Sequence, residues 1–206
     1  MLKPSLEKVK ALAKQYNTIP VFYEFSADNQ TPLNIYTALS KDSRNSFILE
    51  SVSNGVQWDR YSFVGVSPKE EICITGNTAE IRTGDKIETK EVEQPIAFLK
   101  ERMAAYRSPV LEDAPNFTGG LIGYFGYDTV RYMEKKLTHV PEDDIHMPDC
   151  HLFLYEELLA YDHLTSNGIV ILNLHTDGDL GAQYAAAQWR AEELADIVRH
   201  YNPQPQ

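Results

Sequence analysis

Cysteine is nearly absent: Cys73 and Cys150 are the two in 206 residues. That number excludes a disulfide framework and a four-cysteine zinc site, and it suits a reducing cytosol. Positive charge is also scarce, with 19 Lys and Arg against 30 Asp and Glu, a formal net charge of −11 and a sequence pI near 5.0. Nucleic acid and anionic membranes need basic patches, so neither is expected as a partner, and a small molecule or a protein takes their place. No apolar run approaches the length of a membrane span. Lys3, Pro4 and Glu7 stand where a signal peptide needs an unbroken apolar core, so a cytoplasmic location is expected. There is no G-x-S-x-G elbow, no P-loop lysine and no dinucleotide fingerprint, and no internal repeat or long low-complexity segment.

What is present reads as a globular chain long enough for one large domain or two small ones. Ser5 to Tyr16 carries Leu6, Val9, Leu12, Ala13 and Tyr16 at helical spacing. Ile19 to Phe25 is a strand rich in aromatic and branched residues, and Thr31-Pro32 opens a short helix with a cap and a first-turn proline. Ile72 to Thr75, Ala79 to Thr83 and Lys86 to Lys90 alternate apolar and polar residues between glycine turns, which predicts a meander with one solvated face. Pro95 opens another helix, Phe117 to Tyr127 is a glycine-rich apolar strand, and Asp128 to Tyr132 is a helical turn. Leu152 to Asp162 and Ile169 to His175 form a hairpin, and Leu180 to His200 is the longest helix. The fold class expected is α+β, a mainly antiparallel sheet with flanking helices. In the glycine-rich strand, Gly119, Gly120 and Gly123 are expected to pack in the core near the strand pair described next.

The chemistry concentrates where an apolar strand turns polar. Phe47-Ile48-Leu49 runs into Glu50, Ser51 and Val52, and after a turn the chain returns through Arg60, Tyr61 and Ser62 into Phe63 to Val66. An antiparallel pair brings Glu50 and Ser51 close to Arg60, Tyr61 and Ser62. Such a group can recognise a zwitterion, with Glu50 on an ammonium and Arg60 or Ser51 on a carboxylate, or can close on itself as a Glu50 to Arg60 pair. Glu50 and Asp128 can also be paired as acid and base. His139, His146, Cys150 and His151 lie near Asp143, Asp144 and Asp149, but their spacings match no zinc pattern, so the segment reads as a solvated charged loop and no metal site is assigned.

The runs FILESV, RYSFVG and FTGGLIGYFGYDTVRYME, followed by an acidic loop ending in MPD, stand in the order and at about the spacing of one family. The chain resembles the N-terminal domain of anthranilate synthase component I over nearly its whole length. Aminodeoxychorismate synthase component I, of the folate pathway, is similar in the glycine-rich part and departs from the first two motifs. The resemblance implies an enzyme of tryptophan biosynthesis, a lyase that converts chorismate and ammonia to anthranilate and pyruvate with Mg2+. A glutamine amidotransferase subunit, component II, supplies the ammonia. It implies feedback inhibition by L-tryptophan in a pocket that falls on Glu50 and Ser51, with Arg60 as the basic residue and Tyr61 and Ser62 as neighbours. The family's chorismate and magnesium residues lie in a C-terminal domain that nothing here resembles. Residues 1–206 are therefore expected to be a truncated regulatory and assembly domain, with no catalytic residue and no activity alone. Two other classes stay open on the residues: a free-standing hydrolase built on Glu50 and Asp128, and a purely structural interaction domain.

Overall fold

A computed structural model describes residues 1–50, 60–134, 136–137 and 144–203. In chain order the first elements are α1 (Leu6–Leu12), β1 (Thr18–Ser26), α2 (Pro32–Ser40), β2 (Ser46–Leu49) and β3 (Tyr61–Val66). There follow β4 (Glu70–Thr75), β5 (Thr78–Thr83), β6 (Lys86–Glu91), α3 (Pro95–Ala104) and β7 (Gly120–Phe125), then a 3-10 turn at Tyr127–Tyr132. The last are β8 (Cys150–Tyr155), β9 (Glu157–Asp162), β10 (Asn167–His175) and α4 (Leu180–Arg199). The chain divides into two compact units. Unit 1 comprises Met1–Pro68, Tyr106–Gly119 and Glu156–Gln206, and unit 2 comprises Lys69–Ala105 and Gly120–Tyr155.

Unit 1 is a five-stranded sheet in the order β1-β10-β9-β3-β2, and unit 2 one in the order β6-β5-β4-β8-β7. Every pair of neighbours is antiparallel. The class is therefore α+β, as the alternation of short strands and capped helices predicts.

The helices start where their caps dictate. Thr31 accepts from the Asn34 N–H at 3.1 Å and Pro32 occupies the first turn of α2. Asp179 accepts from the N–H groups of Gly181 and Ala182 at the start of α4. Helix α4 then lays Ala187, Ala191, Leu194, Ala195 and Val198 onto Val21, Val170 and Leu172 of the sheet, with α1 and α2 closing the same core. Helix α1 stops earlier than its periodicity predicts. The N–H groups of Asn17 and Thr18 donate to the Arg107 carbonyl and the Arg107 guanidinium donates to the Gln15 carbonyl, which draws the last turn away from helix.

Two expectations are corrected. The run from Leu152 to Asp162 is not one strand: β8 ends at Tyr155 in the sheet of unit 2, and β9 begins at Glu157 in the sheet of unit 1. At the break, the Glu156 carbonyl accepts from the backbone and side-chain amides of Asn173, so its hydrogen bonding goes to β10. The glycines of β7 do not fill a core beside β2 and β3. Gly123 is exposed and stands in the other sheet with φ 157°, and a Cβ there would lie 2.0 Å from the carbonyl oxygen of His151. Gly119 and Gly120 share that backbone region, at φ 143° and 144°. The glycine nearest the first strand pair is Gly65, opposite Phe47, whose ring covers the space a Cβ would fill.

Candidate functional site

In unit 1, antiparallel pairing of β3 with β9 sets Tyr61 opposite Asp162, at the tip of the β9–β10 hairpin. Asp162 is only 2% exposed. Its carboxylate accepts from Arg60 Nε at 3.0 Å and Nη2 at 2.7 Å, from the Leu164 N–H at 3.0 Å and from Thr165 Oγ1 at 3.0 Å. Burial pushes the Asp162 carboxyl up. The hydrogen bonds from Arg60, Leu164 and Thr165 and the charge of Arg60 outweigh it and hold the group below the ordinary carboxylate value. The same pair keeps Arg60 charged, and its guanidinium lies over the Tyr61 ring at 4.9 Å. Burial raises the Tyr61 hydroxyl, Arg60 opposes, and Asp162 and Glu24 add to the rise. Ser62 Oγ and His163 Nε2 are 2.8 Å apart, but Ser62 is 1% exposed, so the pair ties the hairpin to β3 and presents no nucleophile.

Beside Arg60 and Tyr61 opens a cleft of about 560 Å³, whose other walls include Lys3, Glu24, Glu112 and Asp113. Lys3 Nζ stands 3.7 Å from Glu24, which also accepts from Asn167 Nδ2 at 2.8 Å. Carboxylates outnumber cations on these walls, and the Nε–Nη2 edge of Arg60 is already bound. The cleft thus favours an ammonium or a neutral polar group over a bare carboxylate.

The residues picked from sequence are only partly assembled. Arg60, Tyr61 and Ser62 meet as expected at the start of β3. Strand β2 ends at Leu49, so Glu50 is exposed just beyond it and does not interrupt a buried strand. Ser51 lies outside the described residues. The internal Glu50 to Arg60 pair is replaced by Asp162 to Arg60. Asp162 was hidden in sequence as a hairpin residue; the spacing Asp162, Leu164, Thr165 is the turn pattern in which an aspartate caps its own loop, and it was the available signal.

Unit 2 holds a second cleft, of about 680 Å³, with Tyr124, Tyr127, Arg131, Tyr132, Ile145 and Met147 among its walls. Asp149 Oδ2 accepts from the Gly76 N–H at 2.6 Å and from Tyr132 Oη at 2.7 Å. Burial, then Asp149, raises the Tyr132 hydroxyl far above its usual value. Asp128 takes Arg131 Nη2 at 3.1 Å, so its carboxylate is paired with a cation. Cys150 is buried and its thiol pushed up to about 11, chiefly by that burial. His151 meets Glu71 at 2.7 Å, while His139 and Asp143 lie outside the described residues. Among the described residues no group of three or more His, Cys, Asp or Glu is placed to hold a metal ion, and no helix is long and apolar enough to cross a membrane.

Comparison with known proteins gives consistent similarities. The family model described as chorismate binding enzyme matches residues 51–206. Anthranilate synthase component 1 of Acetivibrio thermocellus is 38% identical over 194 residues, which cover 94% of this chain and 39% of that protein. The component 1 of Pseudomonas aeruginosa is 37% identical, with 94% and 39% covered. The chloroplastic anthranilate synthase alpha subunit 2 of Arabidopsis thaliana is 34% identical, with 95% and 34% covered. Among solved structures, anthranilate synthase component I from Streptococcus pneumoniae TIGR4 matches with a TM-score of 0.50 and 26% identity, covering 85% of this chain and 36% of that one. The chain thus spans about two fifths of the length of the curated relatives it matches.

Proposed function

The chain belongs to the family of chorismate binding enzymes, and from that premise we propose that it is the N-terminal part of an anthranilate synthase component I. In this reading the whole enzyme makes anthranilate and pyruvate from chorismate in tryptophan biosynthesis, with ammonia from a glutamine amidotransferase subunit. This chain is the regulatory and assembly part. It contributes Glu50, Ser51 and Arg60, with Tyr61 and the buried Ser62 as their neighbours, to a feedback site for L-tryptophan and contacts the amidotransferase subunit. The names of the curated relatives favour anthranilate synthase over aminodeoxychorismate synthase.

One observation supports the regulatory site more than the others. Leu49 pairs with Phe63, so the chain leaves β2 at Glu50 on the same end of the sheet at which β3 begins, the end where Arg60 and Tyr61 line the acidic cleft. An exposed carboxylate there takes an ammonium, and Arg60, clamped by Asp162, holds the Tyr61 ring in place as an apolar wall. Asp162 thus positions Arg60, and through it the Tyr61 ring, and Ser51 is the group proposed to meet the amino acid's carboxylate. Magnesium would supply Lewis-acid help to chorismate in the whole enzyme. Among the described residues no group of three or more His, Cys, Asp or Glu is placed to hold it.

The test uses the enzyme of which this chain is the N-terminal part, assayed for anthranilate fluorescence with and without tryptophan. Glu50→Lys and Ser51→Phe are expected to keep turnover and to weaken inhibition by about ten-fold or more, the effect of losing one hydrogen bond to a charged group. The 206-residue chain alone is expected to form no anthranilate from chorismate, magnesium and ammonia. Lost turnover with unchanged inhibition in the variants would remove the regulatory reading, and anthranilate from the chain alone would remove the division of labour.

A further inference from the structure

Arg60, Tyr61 and Ser62 share one neighbour, the turn that joins β9 to β10. The Asp162 carboxylate holds the Arg60 guanidinium, and the His163 N–H donates to the Arg60 carbonyl at 2.9 Å. In the ladder of β3 with β9, Tyr61 stands opposite Asp162 and Ser62 opposite Tyr161. Ser62 Oγ then lies 2.8 Å from His163 Nε2. Among the described residues, β2 pairs with β3 only from Val66 to Phe63, so it is β9 and its turn that place Tyr61 and Ser62 in the sheet.

Side chains alternate between the two faces of a strand. Tyr61 and Asp162 therefore point to the face that carries the cleft, and Ser62 and Tyr161 to the face packed by the helices. On that second face the His163 imidazole meets both neighbours, the Ser62 hydroxyl and the Tyr161 ring, the latter at 5.1 Å and close to edge-on. The start of β3 is thus held from both sides of the sheet, by Asp162 on one and His163 on the other.

A side chain can position its neighbour only if its own base is fixed. Asp162 caps the turn through the Leu164 N–H and Thr165 Oγ1, and the Ser166 N–H donates back to the Asp162 carbonyl at 2.8 Å. The turn is also tied to β1: the Ala27 N–H donates to the Ser166 carbonyl at 3.1 Å, and Asn167 Nδ2 donates to Glu24 at 2.8 Å. Glu24 lines the same cleft as Arg60 and Tyr61. One braced turn therefore holds polar groups of the cleft on β1 and on β3.

We propose that His163 is a positioning residue of the feedback site: from the turn it fixes Ser62, and through Ser62 the placement of Arg60 and Tyr61. The proposal rests on the reading that tryptophan binds at this end of the sheet, and His163 acts in it through Ser62 and not on the effector. The experiment uses the whole enzyme of which this chain is the N-terminal part. It measures kcat, KM for chorismate, the tryptophan concentration for half-inhibition and the melting midpoint. His163→Ala is expected to raise the half-inhibition concentration by about three- to ten-fold, the loss of one hydrogen bond, with kcat and KM unchanged. His163→Gln, whose amide can bond the Ser62 hydroxyl, is expected to recover most of the inhibition. His163→Phe keeps a flat ring against Tyr161 but cannot make that bond, and is expected to behave like His163→Ala. A lower melting midpoint in His163→Ala with half-inhibition unchanged would make the residue structural and overturn the proposal. So would a Phe variant inhibited as well as the Gln variant, because ring packing and not the hydrogen bond would then place the strand. If Glu50→Lys and Ser51→Phe weaken inhibition and His163→Ala does not, the positioning role is lost while the feedback reading stands. If Glu50→Lys and Ser51→Phe leave inhibition intact, that reading falls and the proposal with it.

Discussion

The two units are built on the same element, a five-stranded antiparallel sheet, and treat its faces differently. In unit 1, β10 buries six of its nine residues, Gly168 to Leu172 among them without a break, and three helices share the core. In unit 2, β5 alternates, with Ala79 and Ile81 inside and Thr78, Glu80 and Arg82 outside, and only α3 adds helix to a much smaller cluster. The difference lies in the sequences themselves. A strand reading Ile-Val-Ile-Leu must be covered on both faces, whereas Thr-Ala-Glu-Ile-Arg-Thr pays nothing for a wet one. Unit 1 is therefore suited to hold buried ionic geometry such as Asp162 with Arg60. Unit 2, the shorter of the two, carries seven of the fourteen exposed large hydrophobic residues among the described ones.

The largest test of this contrast is Ile74→Ala, which opens a hole in the small cluster of unit 2. A cost of about 2–5 kcal/mol is expected. Hydrogen exchange should quicken in β4, β5 and β8 while β10 keeps its protection, because each unit has its own core. Equal quickening in β10 would mean that the two units unfold as one.

A smaller effect is expected in unit 1 from Asp162→Asn, roughly 1.5–3 kcal/mol for a hydrogen-bonded charged group, toward the lower end because Arg60 is half exposed. The sign with pH follows from the lowered pKa of Asp162. Its contribution is complete above the unfolded carboxylate value, about 3.9, and is lost as pH falls through the lower folded value. The wild type should thus lose stability over the variant's baseline in that acid window, and the gap between them should narrow there. A gap that stays constant down to acid pH would show that the carboxylate does not carry the bond network.

The smallest comparison sets two glycines against each other. Gly123→Ala forces a Cβ onto the backbone of His151 at positive φ, and about 1–3 kcal/mol of destabilisation is expected. Gly65→Ala meets only the ring of half-buried Phe47, which can turn aside for about 1 kcal/mol. Thermal melts of the two variants give the ranking, and a reversed order would show that the Phe47 ring is the more rigid neighbour.

Much of the architecture could be read before any coordinates. The cap and proline at Thr31-Pro32, the alternation in β4 and β5 and the glycine turns between them are local codes, each decided by residues within one turn or one strand of each other. The stop of α1 was not local, because Arg107, far along the chain, captures its end. Nor was the break after Tyr155: the composition from Leu152 to Asp162 is strand throughout, and only the pairing partners send one half to each sheet.

At the candidate site the division is sharper. The sequence by itself determined that polar residues gather around Glu50 and Arg60 and that the apolar runs before and after them pair as antiparallel strands. Which carboxylate Arg60 binds was decided by tertiary structure. Asp162 is 102 residues away and reaches Arg60 only because β9 lies between β10 and β3. Its burial makes an unpaired charge there too costly, while Glu50, left in water beyond the end of β2, has no such need.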